Sequence, residues 1–253
     1  MQQRKSNRIY LLIAVIFWIF LWQMISMRLN ETLYLPSPFQ VLHSLFVLAK
    51  TSNFWVTIAY SVIKIGGGFL LAIVVGVLLA LVTWKFRLLK EIILLAMRVI
   101  KSVPVVSFII LALVWVKAKN LSVLISFLMV LPIIYTNVIT GIDTTNPKLL
   151  EMAFVFRMSP IKKMRYIYLP SVIPHFVSAC SISLGLCWKS GIAAEVIGFV
   201  DHSIGGELYN AKLYLNIPEL FAWTIVIAII SAICERFVMK GIGLLMKSED
   251  RNN

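Results

Sequence analysis

From Leu121 to Ile142 the chain runs for 22 residues without a charged side chain, and from Ile9 to Met27 for 19. Runs of that length match the hydrocarbon thickness of a bilayer crossed by a helix. In lipid, every backbone N–H and C=O must be satisfied within the protein, so a span is a helix or a strand of a closed barrel. Barrel strands alternate apolar and polar residues, and these runs do not. The chain of 253 residues is 60% hydrophobic and only 14% charged, more apolar surface than one soluble core can enclose. The expected class is all-α, a polytopic membrane protein with a single transmembrane domain over residues 1–253.

The cations set the expected topology. The net charge is +13, but the lysines and arginines gather at the ends of apolar runs, as the positive-inside rule requires. A nucleic-acid partner is therefore not expected; the lipid bilayer is. Residues 1–8 form a polar arm with Arg4, Lys5 and Arg8, residues 9–27 a first span, and residues 54–239 the remaining spans. Six transmembrane helices place fourteen cations inside (the arm, 85–90, 148–165 and the tail from Lys240) against five outside (Arg28, Lys50, Lys117, Lys119 and Lys212). Both termini then lie in the cytoplasm of a prokaryotic cell. Residues 35–50 read as a short amphipathic helix on the outer surface, capped by Ser37 and started by Pro38.

Within the spans, small residues and charges carry the information. Gly68, Ala72, Gly76 and Ala80 recur every four residues, which puts them on one helix face and lets another helix approach closely. That seam fits packing within one chain or against a second copy. Lys64 sits where it can snorkel outward. Pro104 should break the third span, Ile92–Val116, so that its membrane-crossing part begins near Ser102. Cys180, Cys187 and Cys234 lie in apolar runs without metal-ligand spacing, and His43, His175 and His202 are scattered. Neither a metal site nor a catalytic cluster is expected.

The longest polar interruption is Glu151–Pro174, with Arg157, Lys162, Lys163 and Arg165 threaded by apolar residues and Lys148 just before it. Asn146-Pro147 and Ser159-Pro160 each give a cap followed by a proline, the signature of a helix start. The expectation is two short helices meeting at a corner, closed by Leu169-Pro170 and Pro174. This is more order than a connecting loop needs, and it fits a docking platform or a membrane-surface loop.

Here the sequence resembles the permease subunits of binding-protein-dependent ABC importers, in their nitrate, sulfonate and taurine branch. Glu151, Ala153 and Leu169-Pro170 match the loop named for its Glu-Ala-Ala, here 143–170. The segments Asn137–Leu150, Leu184–Glu195, Leu35–Pro38 and Ser102–Pro104 extend the resemblance over roughly residues 35–240. It implies a type I importer permease fold, a homodimer with a second permease copy, separate ABC ATPase subunits, and an extracytoplasmic solute-binding protein. Glu151, Ala153, Arg157, Met158, Ser159, Pro160, Leu169 and Pro170 would then couple to the ATPase. ATP and magnesium belong to that partner, since the chain has no phosphate-loop motif; this chain is expected to hold no cofactor and to be no enzyme. Two positions depart from the pattern: Met152 replaces an alanine, and Arg157 stands where the corner glycine is usual, so the glycine's role is not expected to carry over.

Lys189 and Glu195 lie in the fifth span, six residues apart, and so point to different faces. Intramembrane charge is costly and marks an interior or a water-filled path. Lys189 fits a pathway residue for an anion, a partner for a carboxylate of the second copy, or a gate lysine. Glu195 fits a gate or a packing role. Trp188, Trp115 and Pro104 complete the set expected at the translocation pathway or gate. The implied solute is a small inorganic or organic anion such as nitrate, a sulfonate or taurine, with a vitamin precursor as the alternative. A secondary transporter would show inverted repeats, and the two halves show no self-similarity.

Overall fold

The computed structural model describes residues 2–29 and 34–250. Among them every regular element is helical. Helix α1 (Gln2–Leu29) makes one continuous rod of the expected arm and first span. Its indole Trp22 Nε1 donates to Pro36 O at 3.0 Å, and its Ser26 hydroxyl donates to Leu35 O at 3.0 Å. Helix α2 (Pro38–Ala49) follows, and the Ser37 capping box forms as the sequence indicates: Ser37 Oγ accepts from Gln40 N–H, and Gln40 Oε1 accepts from Ser37 N–H.

Helices α3 (Ser52–Thr83), α6 (Leu121–Asp143) and α9 (Leu169–Ile197) form the centre of the bundle, with α6 between the other two. The small-residue face of α3 is turned onto α6 of the same chain. A Cβ on Gly68 would sit 2.5 Å from Val123 O and 2.9 Å from Ser126 Cβ, and one on Gly76 would sit 3.0 Å from Ile134 Cγ2. Ala72 and Ala80 are wholly buried. Lys64 reaches along α3 to Asn120 Oδ1 at 3.1 Å, so its charge is drawn to the helix end.

The third span is broken. Helix α4 (Arg87–Ser102) and helix α5 (Val105–Trp115) meet at Val103-Pro104 with a bend of 104°. Pro104 has no N–H to continue α4, and it becomes the residue before α5. The eleven residues of α5 rise about 16 Å, roughly half of a 30 Å hydrocarbon core. Lys101 Nζ donates to Thr136 Oγ1 of α6 at 3.1 Å beside the bend.

After α6 come α7 (Pro147–Val155) and α8 (Pro160–Lys163), then a π-helical turn (Met164–Tyr168) that runs straight into α9. The expected closure at Leu169-Pro170 and Pro174 is thus corrected: residues 160–197 form one helical run. Pro170 and Pro174 each remove a donor. The wider turn takes up the change of register, with Leu169 N–H bonding back to Met164 O. Helix α10 (Ile204–Leu213) and helix α11 (Ile217–Asp250) end the described chain. Among the described residues, four helices are long and apolar enough to cross a membrane, and five if the bent pair counts as one span.

Gly68→Ala should destabilise the bundle by about 1–3 kcal/mol although alanine is the better helix former. Gly67→Ala, whose Cβ would meet nothing within 4 Å, should be neutral or mildly stabilising. Thermal unfolding of both variants in detergent checks the pair; equal melting temperatures would rule out the close α3–α6 contact.

Candidate functional site: the loop between α6 and α9

The 143–170 segment is built by short-range capping on a rigid base. At its start, Asp143 Oδ2 pairs with Lys90 Nζ of α4 at 2.6 Å. Ser171 Oγ donates to Gly141 O at 2.9 Å, and Thr144 Oγ1 lies 3.3 Å from His175 Nε2, so the two ends of the loop are tied together. Asn146 Oδ1 accepts from Lys148 N–H at 3.0 Å and Pro147 takes the first position of α7. Ser159 Oγ accepts from Lys162 N–H and Pro160 opens α8. Both cap-then-proline signals therefore mark true helix starts.

The corner between the two helices is closed by Arg157. Its φ is 48°, in the left-handed region. Arg157 N–H donates to Phe154 O at 3.0 Å and Met158 N–H to Ala153 O at 2.9 Å. That pair of bonds is the helix-ending motif which usually employs glycine. The expectation that the glycine's role would not carry over is corrected: the arginine performs it, at a backbone cost of about 1–2 kcal/mol.

Ala153 is wholly buried beneath the corner, whereas Glu151, Arg157, Ser159 and Pro160 are exposed and Met158 is half-buried. Leu169 and Pro170 lie on the exposed side of the helical run that leads into α9. The sequence reading passed over the most conspicuous feature. Phe154, Val155, Phe156 and Ile161 are 74–81% exposed, in a stretch that also exposes Arg157, Lys162 and Arg165. Several large apolar side chains turned outward on one short loop make it a candidate interaction site. Above the loop, Trp84 and Tyr168 stack edge to face at 4.8 Å. They border an apolar cavity of about 350 Å³ that also takes in Val77, Val138 and Phe176.

The residues expected at a pathway do not share one surface. Trp188 and Glu195 are buried between helices, at 3% and 0% exposure. Lys189 is exposed on the opposite face of α9, in line with Ile182 and Leu186. Among the described residues it makes no hydrogen bond or ion pair. Pro104 is exposed at the α4–α5 bend, and Trp115 is 77% exposed at the far end of α5. The three cysteines stand free, and no group of histidine, cysteine or carboxylate side chains among the described residues could hold a metal ion.

The family described as binding-protein-dependent transport system inner membrane component matches residues 72–240. The chain belongs to this family. It is a multi-pass membrane permease subunit of an ABC importer, not an enzyme, and its family works with a partner ATPase and a solute-binding protein. This permease is 23% identical over 231 residues to the putative aliphatic sulfonates transport permease protein SsuC of Bacillus subtilis (strain 168), covering 90% of this chain and 82% of the relative. It is also 23% identical to the taurine transport system permease protein TauC of Escherichia coli (strain K12), covering 85% and 80%. The nitrate import permease protein NrtB of Synechocystis is again 23% identical, covering 94% and 90%. The permease shares its fold with a chain from the crystal structure of an amino acid ABC transporter with histidines, at a TM-score of 0.58 and 19% identity, covering 81% of this chain and 97% of that one.

Arg157→Gly should raise the stability of the permease by about 1 kcal/mol, and Arg157→Val should lower it by more, since a β-branched residue is least at ease at positive φ. Thermal unfolding of the detergent-solubilised permease ranks the three; a valine variant as stable as the glycine variant would contradict the left-handed corner.

Proposed function

We propose that this permease imports a small anion, working as a homodimer of six-span subunits with both termini in the cytoplasm, and that the 143–170 loop is its grip on the ATPase. The observation that carries the reading is the capped corner with its exposed Phe154, Val155, Phe156 and Ile161. A loop that merely joined α6 to α9 would have no reason to order two capped helices and then turn apolar side chains outward. Exposed aromatic side chains are common anchors of protein interfaces. Movement of the anchor would pass to the bundle directly, because α8, the π turn and α9 are one helical run, and the Asp143–Lys90 pair ties the loop's start to α4.

The sixth span is α1. Its apolar part, Ile13–Leu29, is shorter than the other candidates, but the helix continues through the basic arm, whose cations favour the cytoplasmic surface. The solute class rests on the relatives' named cargoes, which are sulfonates, taurine and nitrate. Within this chain it rests on Lys189, a cation on an exposed face of α9 without a partner among the described residues. A face that is open in one subunit becomes a lined path when a second copy stands opposite.

The double variant Phe154→Asp, Phe156→Asp should weaken ATPase association by about 2 kcal/mol or more while the permease still reaches the membrane. Co-purification of the ATPase encoded with it reads this directly; undiminished recovery would remove the loop from the interface. For the solute, Lys189→Gln in proteoliposomes should cut anion uptake about tenfold with ATP hydrolysis retained. Unchanged uptake of the anion would take Lys189 out of the pathway.

A further inference from the structure

Glu195 is a carboxylate at the end of α9 with 0% exposure and no cation beside it. A buried carboxyl group is costly unless hydrogen-bond donors reach it. Its donors come from two other elements, α3 and α10. Ser61 Oγ of α3 donates to Glu195 Oε2 at 2.8 Å, and Gly205 N–H in the first turn of α10 donates to the same oxygen at 3.2 Å. Ser61 Oγ also accepts from Ile204 N–H at 2.9 Å, so the serine bridges the carboxylate and the start of α10. The other carboxylate oxygen, Oε1, has no hydrogen-bond partner among the described residues, nor has the nearby Ser122 Oγ, and Ser203 Oγ donates to Val200 O instead. The N-terminal end of α10, whose first N–H groups have no partner within the helix and carry partial positive charge, is thus drawn onto Ser61 and Glu195.

The sequence around the contact is shaped to permit it. A Cβ on Gly205 would collide with Glu195 Cβ and lie 2.7 Å from Val196 N; one on Gly206 would collide with Val200 O. Only glycine lets α10 approach so closely. The connections on either side are held in unfavourable backbone conformations. Phe199 (φ 49°) and His202 (φ 54°) precede α10, and Leu215 (φ 54°) follows it. Three of the four non-glycine residues at positive φ among the described residues therefore flank this one helix. Such conformations persist only where the surroundings over-determine them, and the Glu195 contact is the buried polar one that holds the start of α10.

We propose that Glu195 is a positioning residue for solute delivery: it clasps α10 to α9 and α3, and the clasped α10 is what the solute-binding protein meets. The outward part of α10 and the turn after it, Asn210 and Lys212 to Asn216, is exposed, with Leu213, Tyr214 and Leu215 at 60–79%. This rests on the reading of the chain as an importer subunit whose loop end faces the cytoplasm, which puts α10 on the opposite, outer face. Fixing α10 in advance spares the binding protein the entropy of ordering it on contact.

The test uses the permease reconstituted in liposomes with its ATPase and its loaded binding protein. Stimulation of ATP hydrolysis by the binding protein in the unaltered complex establishes the importer reading first; its absence would count against that reading rather than against the clasp. Glu195→Ala should then lose about tenfold in binding-protein stimulation, with basal hydrolysis within about twofold. Glu195→Gln should keep most of the stimulation, because its amide oxygen still accepts from Gly205 N–H and Ser61 Oγ. Hydrogen exchange at the amides of Ile204 and Gly205 should accelerate in the alanine variant and not in the glutamine variant. Full stimulation in Glu195→Ala, or an equal fall of basal and stimulated rates, overturns the proposal. Should that variant not reach the membrane, Ser61→Ala, which removes the bridge, must show the same split between rates, and unchanged stimulation there overturns the proposal equally.

Discussion

Close contact of α3 and α9 with α6 is the constraint on which the rest of the permease depends. In a bilayer the hydrophobic effect offers nothing for helix pairing, since lipid tails are as apolar as leucine. What remains is van der Waals contact, which falls off steeply with separation. The helices must therefore approach backbone to backbone, and small residues permit it. Gly68 meets Val123 and Ser126, and Gly141 of α6 lies where a Cβ would be 2.8 Å from Val172 Cα of α9. The same approach fixes where both ends of α9 lie. One end carries the loop and the other carries Glu195, so two polar regions of different use are held by one apolar seam.

A rigid centre places deformation elsewhere. The bend at Pro104 and the π turn at Met164–Tyr168 both lie on elements that flank the α3–α6–α9 core rather than within it. Pro132 lies inside α6, yet the helix runs on from Leu121 to Asp143. The π turn is the more consequential of the two. It stands between the exposed apolar corner and the spanning part of α9, and its Tyr168 packs on Trp84 at the end of α3. The corner is thus joined to α9 by one helical run and to the end of α3 by an aromatic contact.

Much of this could be read from the residues. Capping by Ser37, Asn146 and Ser159, the break at Pro104 and the small-residue seam of α3 follow from local chemistry, because a cap or a proline acts within its own turn. The apolar corner could not be read in the same way. In a chain that is 60% hydrophobic, Phe154, Val155 and Phe156 look like any other span residues, and only the end of α7 at Phe156 turns them outward. Trp188 was equally ambiguous: at one residue from Lys189 it could line a path or fill a core, and the rotation of α9 against α3 decides for the core. The continuity of α9 through Pro170 was hidden because proline is a stop signal at the local level, and the π turn that accommodates it has no sequence signature of its own.

The helix ends show the same limit in a sharper form. Three helices, α7, α9 and α10, finish with the paired backbone bonds that normally signal a glycine. At each the left-handed position holds a larger residue: Arg157, Phe199 and Leu215. Reading for glycine finds none of them. The strain they carry lies in the connections at the two ends of the bundle, while α3, α6 and α9 run without a positive-φ residue. Each of these residues is held by its neighbours in a conformation that it does not favour, and the seam between the two ends carries none of that strain.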